Sequence, residues 1–157
     1  TPLDRMVRDY DSISICLSKG LGAPIGSLLV GSTSFIAQAH RWRKMFGGGM
    51  RQAGMLAAAG LHALDHHVGR MAEDHHRAMH LATAINGIDG FTVDLATVET
   101  NMVYFESNVK ATQVMEALST SGIDLLDIGP NTCRIVLHLH VTDEDVNHVI
   151  QTFESLL

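Results

Sequence analysis

The feature that most constrains this chain is a change of pattern near Gly87. Upstream of it, the spacing predicts a long helix over about 65–86, with Val68, Met71, Ala72, His75, Met79, Ala82 and Ile85 on one stripe. Downstream, the apolar periods become short. Strands are expected over 91–95 and 102–106, a helix over 111–121, a short strand over 123–126 and an alternating strand over 134–141. Thr142-Asp143-Glu144-Asp145 supplies the cap and acidic first turn of a last helix. Val146, Val149, Ile150, Phe153 and Leu157 form its expected buried face. Residues from about 87 onward can therefore close a core of their own, as an α+β unit.

The first part of the chain reads differently. Ser12-Ile13-Ser14-Ile15-Cys16-Leu17 alternates polar and apolar residues, then meets Ser18-Lys19-Gly20-Leu21-Gly22-Ala23-Pro24. This predicts a strand delivering a glycine-rich turn. A second strand is expected over 25–30 and a helix over 34–45. Gly47-Gly48-Gly49 breaks the pattern before an alanine-rich, helix-favouring stretch over 51–64. These pieces belong to a layered α/β domain that needs more strands than they supply. The expected organisation is thus 1–64 as part of a larger α/β domain, and 65–157 as a linking helix with a small α+β domain.

Composition narrows the function classes. Hydrophobic residues make up 46% and charged residues 18%, which suits a globular chain. The net charge of -6 argues against nucleic acid as a partner. Arg41, Arg43, Lys44 and Arg51 cluster locally, enough for one phosphate. Cys16 and Cys133 make no disulfide framework, so a reducing, cytoplasmic setting is expected. No apolar run reaches the roughly 20 residues a bilayer span requires. The opening Thr-Pro-Leu-Asp-Arg has neither an initiating Met nor a signal pattern, so the chain is expected to begin in mid-protein, with organelle targeting left open.

Lys19 stands where a strand ends and a glycine turn begins. A lysine that forms an imine must lose its proton, which poor solvation or a neighbouring cation promotes. Local pattern alone favours an ordinary surface lysine beside a turn. A phosphate loop of the GxxxxGK[ST] kind is excluded, because Lys19 precedes its glycines and no Ser or Thr follows it.

The longer run alters that balance. Ser12-Ile-Ser-Ile-Cys-Leu-Ser-Lys-Gly-Leu-Gly-Ala-Pro-Ile-Gly-Ser-Leu-Leu-Val-Gly31 resembles the cofactor-lysine segment of the low-specificity L-threonine aldolases. Arg41-Trp-Arg-Lys-Met-Phe-Gly-Gly-Gly-Met-Arg-Gln-Ala-Gly54 is similar to the next signature of that family, at the expected distance. The similarity continues through Asn101-Met102 and Arg134-Ile-Val-Leu-His-Leu, and covers nearly all of the chain. The resemblance implies the C-terminal part of a fold type I, pyridoxal-phosphate-dependent large domain, followed by a small α+β domain. It implies a lyase that cleaves L-threonine or L-allo-threonine to glycine and acetaldehyde, as a homo-oligomer (dimer or tetramer) or together with a missing N-terminal segment. Its rivals are a related fold type I lyase or hydroxymethyltransferase, and an inactive fragment that only folds or assembles. The family's phosphate loop, ring-stacking histidine and ring-nitrogen aspartate have no matching positions in 1–157, so the isolated polypeptide is not expected to turn over.

The resemblance assigns the cofactor imine to Lys19, a contact with the cofactor phosphate to Arg51, on a loop expected to reach a neighbouring subunit's site, and the substrate α-carboxylate to Arg134. Against these stand a solvated arginine at a helix start for Arg51, and a salt bridge to Asp127 or Glu106 for Arg134. Arg43 and Lys44 form a basic face that could assist the phosphate. His62 and His66, like His76 and His80, are four apart, but no Glu completes a metal motif, and no metal is expected. His138 and His140 fall on one face of their expected strand and receive no role.

Overall fold

The computed structural model describes residues 2–156, which divide between Val68 and Gly69 into two compact units. The first contains α1 (Leu3–Val7), β1 (Ser12–Cys16), β2 (Ser27–Gly31) and α2 (Thr33–Met45). The boundary falls inside α3 (Gly54–Asn86), a helix of 33 residues. Two successive helical stretches were expected there, parting near residue 64. The structure runs them together, with Gly60 and Gly69 tolerated inside one helix.

In the first unit, β1 and β2 pair antiparallel, from Ser12 opposite Gly31 to Cys16 opposite Ser27. The second strand begins two residues later than its pattern predicts, because Gly26 takes a φ of 111° before it. Ser32 starts α2, its hydroxyl accepting the Phe35 N–H at 3.3 Å. Every residue of β2 is exposed, and Leu29 and Val30 are about half open. Among the described residues neither strand has a second neighbour.

The second unit adds β3 (Phe91–Thr92), a 3-10 turn (Leu95–Thr97), β4 (Met102–Ser107), α4 (Ala111–Ser119), β5 (Leu126–Asp127), β6 (Thr132–Val136) and α5 (Asp143–Glu154). Its sheet is antiparallel in the order β3-β4-β6-β5. The alternation on β4 and β6 sends Val103, Phe105, Cys133 and Ile135 into the core. There they join Ala78, Leu81, Ala82 and Ile85 of α3, Val114 and Leu118 of α4, and Val146 and Phe153 of α5. Phe91, Phe105 and Phe153 meet edge to face, with centroids 5.2–5.8 Å apart.

Several details differ from the pattern-based expectation. The strand expected over 91–95 is confined to Phe91–Thr92, because the Val93 N–H donates to Asn86 Oδ1 at 2.9 Å and Asp94 then caps the 3-10 turn. The buried stripe of α3 is Asp74, Ala78, Leu81, Ala82 and Ile85, whereas Val68 is 54% exposed. β6 ends at Val136 because Asn101 takes both backbone groups of Leu137: its carbonyl accepts the Leu137 N–H at 2.9 Å and its amide donates to the Leu137 carbonyl at 2.5 Å. The short strand expected over 123–126 falls at Leu126–Asp127, since Ile123 and Leu125 are buried in the core instead. Leu157 lies outside the described residues. The last helix starts as expected, with a reciprocal capping box between Thr142 and Asp145. Among the described residues, no helix is long and apolar enough to cross a membrane.

Candidate active site

Lys19 lies in the connection between β1 and β2, and that connection is held tightly. The Leu17 N–H donates to the Gly26 carbonyl at 3.0 Å, and the Ala23 N–H donates to the Leu17 carbonyl at 2.9 Å. The Gly22 N–H closes a turn on the Lys19 carbonyl at 2.8 Å, which Gly22 permits with a φ of 67°. Leu17, Leu21 and Ala23 are buried, while Lys19 is exposed. Buried side chains on both sides of an exposed amine fix the backbone from which that amine reaches out.

The seat of this turn is one face of α3. Gly60, Ala63 and His67 follow each other at helical spacing, and Gly60 and Ala63 are buried. A Cβ on Gly60 would stand 3.2 Å from Leu17 Cδ1, so any larger residue there would press Leu17 aside by a few tenths of an ångström. His67 Nδ1 lies 2.6 Å from the Leu21 carbonyl oxygen. A carbonyl can only accept, so Nδ1 carries the proton and donates it. The sequence reading singled out neither Gly60 nor His67. Their shared stripe on α3 is the signal that could have found them.

Arg51 follows the triple glycine, where α2 ends in a Schellman motif. The Gly48 N–H donates to the Arg43 carbonyl at 2.8 Å and the Gly47 N–H to the Lys44 carbonyl at 3.3 Å, with Gly47 at a φ of 83°. Gly49 lies against Lys44, where a Cβ would come within 2.6 Å of Lys44 Cδ. Arg51 was expected at a helix start. It is exposed and precedes Gly54, the first residue of α3, so the helix dipole does not bear on it directly. Its neighbour Gln52 has a φ of 50°, the one left-handed non-glycine among the described residues. Strain of that kind concentrates where a loop is held for a function. Nearby, His40, Arg41, Arg43, Lys44, Gly49 and Met50 line a surface cavity of about 480 Å³. Three cations around one hollow make it electropositive.

Arg134 belongs to the second unit. Its Cα partners are Tyr104 on β4 and Leu126 on β5, so these three share the sheet face opposite the core. Arg134 is half-buried, and its Nε is a buried donor with no partner among the described residues. Neither Asp127 nor Glu106 pairs with it among the described residues, so the salt-bridge alternative is not formed. A buried guanidinium nitrogen lacking an acceptor is the arrangement that an incoming carboxylate would complete.

Elsewhere in the second unit, ion pairs gather around α3, while Arg70 Nη1 is, like Arg134 Nε, a buried donor without a partner among the described residues. Asp74 is buried and is bonded by Arg70 Nη2, with Arg77 Nη1 at 3.8 Å. Arg77 Nε also donates to Asp143 at 2.6 Å, and that bond raises its pKa. Burial, helped by Asp127, pushes the Cys133 thiol up. The His62 and His66 rings lie 4.5 Å apart and tilted by 50°, and among the described residues no three His, Cys, Asp or Glu side chains gather as a metal would need. His138 and His140 lie beyond the end of β6, the His140 N–H donating to His138 Nδ1 at 3.3 Å. Lys19 and Arg51 thus fall in the first unit and Arg134 in the second.

The chain is 41% identical to low-specificity L-threonine aldolase 1 of Arabidopsis thaliana, over 99% of its own length and 45% of the relative's. It spans about half the length of the curated relatives it matches. Among solved structures it resembles a "putative L-allo-threonine aldolase" of Listeria monocytogenes EGD-E, with a TM-score of 0.83, 19% identity and coverage of 100% of this chain and 47% of that one. It also resembles a structure of SPT solved with PLP, with a TM-score of 0.73, 15% identity and coverage of 96% of this chain and 41% of that one. These likenesses give the fold as that of fold type I enzymes. The beta-eliminating lyase family profile matches residues 1–108, and the chain belongs to that family.

Proposed function

We propose that this chain carries the cofactor lysine, a phosphate contact and a substrate-carboxylate contact of a pyridoxal-phosphate-dependent aldehyde-lyase. The reaction is cleavage of L-threonine or L-allo-threonine to glycine and acetaldehyde. The observation that carries the reading is the Lys19 turn, an exposed amine on a backbone locked by three hydrogen bonds and buried neighbours. The reading is supported by the 41% identity to a low-specificity L-threonine aldolase over 99% of this chain.

The residues present fit the cofactor on structural grounds. Lys19 supplies an exposed amine for a carbonyl carbon. Arg51, on the strained loop after the glycines, supplies a guanidinium for a phosphate. Arg134 supplies a buried, unpartnered donor for an amino-acid carboxylate. Bound there, pyridoxal phosphate would supply an electron sink for the bond broken at the substrate Cα. The part of this chain would be to hold: Lys19 would bind the cofactor's carbonyl end, Arg51 would contact a cofactor phosphate, and Arg134 would bind the substrate carboxylate. The exposed apolar side chains Leu28, Leu29, Phe35 and Trp42 of the first unit support assembly with a second copy or with further chain.

Borohydride reduction of the cofactor-loaded, full-length protein followed by peptide mapping tests this. The pyridoxyl label is expected on Lys19. A label on Lys44 or Lys110 refutes it, as does absence of acetaldehyde from L-threonine.

A further inference from the structure

A lysine that must reach one carbon atom repeatedly depends on where its backbone is held. The Lys19 turn carries no disulfide and no ion pair among the described residues. Its own hydrogen bonds fasten it to itself and to Gly26. Among the described residues the one polar bond from it to α3 is made by His67, whose Nδ1 meets the Leu21 carbonyl at 2.6 Å across 46 residues of sequence. Leu21 is two residues beyond Lys19, inside the turn that the Lys19 carbonyl and Gly22 N–H close.

We infer that His67 is a positioning residue for Lys19: by donating Nδ1–H to the Leu21 carbonyl, it locks the turn against α3 and sets where the lysine amine stands. This rests on the reading of Lys19 as the cofactor lysine. Three features carry it. The bond is short and half-buried, where competing water is scarce. The ring reaches the turn from the stripe that already presents Gly60 and Ala63, so the contact is polar at one end and close-packed at the other. The tautomer is also fixed, because only a protonated Nδ1 can serve a carbonyl; His62, 5.3 Å away and edge-on to the His67 ring, is its aromatic neighbour on α3. An asparagine at this place would keep an N–H donor at similar reach, whereas alanine would leave the Leu21 carbonyl without one.

The test compares the full-length protein with its His67→Ala and His67→Asn variants in two measurements. Amide hydrogen exchange of the cofactor-free protein reads the turn itself. Borohydride trapping of pyridoxal phosphate at Lys19, at limiting cofactor, reads the position of the amine. In His67→Ala the amides of Leu17, Gly22 and Ala23 should exchange roughly tenfold faster, and trapping at Lys19 should weaken by a similar factor. His67→Asn should restore both. Unchanged exchange and trapping in His67→Ala overturn the inference. So does faster exchange spread evenly over the first unit, which would make His67 a general stabiliser. If the unsubstituted protein is labelled at another lysine, the Lys19 reading fails, and the role of His67 fails with it. Normal labelling of Lys19 that is indifferent to His67 overturns the role of His67 alone.

Discussion

Replacing Arg134 by methionine should leave the second unit as stable as before, or more stable, while weakening the substrate. Half-buried residues usually lose stability on substitution, so the expected sign is unusual. It follows from the unpartnered Nε. A buried donor without an acceptor costs about 1–3 kcal/mol, and Arg134→Met removes that donor while keeping an unbranched apolar stem. Lost contacts of the outer guanidinium offset part of the gain, so the net change in unfolding free energy should lie between zero and about 1 kcal/mol in favour of the variant. The proposed bond to the substrate carboxylate pulls the other way. A hydrogen bond to a charged group contributes roughly 1.5–3 kcal/mol, so KM for L-threonine in the full-length protein should rise about 10- to 150-fold. Urea unfolding followed by exchange of the β4 and β6 amides gives the first quantity, and steady-state acetaldehyde release gives the second. A loss of more than about 1 kcal/mol in the variant would refute the reasoning, since it would mean that the guanidinium has a structural partner after all.

Arg51→Ala should weaken binding of pyridoxal phosphate about tenfold or more while leaving the binding of phosphate-free pyridoxal unchanged, as read by fluorescence titration of both. Phe153→Ala should destabilise the second unit by about 3–5 kcal/mol, because Phe153 is fully buried and meets both other core phenylalanines; a urea melt checks this. Asp145 has its pKa lowered by the Thr142 backbone N–H and then by the Thr142 hydroxyl. Its contribution to stability is therefore complete above the ordinary carboxylate value of roughly 3.9 and is lost as pH falls through the lowered one. Asp145→Asn should accordingly flatten the acid limb of a stability–pH curve, and an unchanged limb would discount the capping box.

What the sequence made legible is what local chemistry decides. The Lys19 turn announces itself by strand alternation running into glycines, and the Thr142 cap by a hydroxyl followed by three acids. Both appear as expected. The extent of α3 depends on what its two halves pack against, so Gly60, a poor helix residue, marks a close approach inside the helix and no break. The stripe of α3 was misjudged because Met and Ala fit a half-exposed face as well as a core, whereas buried Asp74 is made tolerable by two arginines that no hydropathy pattern reveals. β6 stops early because Asn101, far away in sequence, competes for Leu137. The bond from His67 to Leu21 spans a similar gap, and the lone Nε of Arg134 is visible only once its neighbours are in place.

The sheet of the second unit has one face given wholly to the core and one that is not. Val103, Phe105, Cys133 and Ile135 cannot change without disturbing the packing of α3, α4 and α5. Tyr104, Leu126 and Val136, on the other face, are 41%, 51% and 41% exposed. Substitutions there leave the folded unit nearly untouched. Two neighbours of Arg134 on that face, Tyr104 and Leu126, are therefore positions where descendants of this chain can explore new side chains around a retained arginine. On the proposed role of Arg134, variation in which amino acid is accepted can accumulate there without a compensating change in the core.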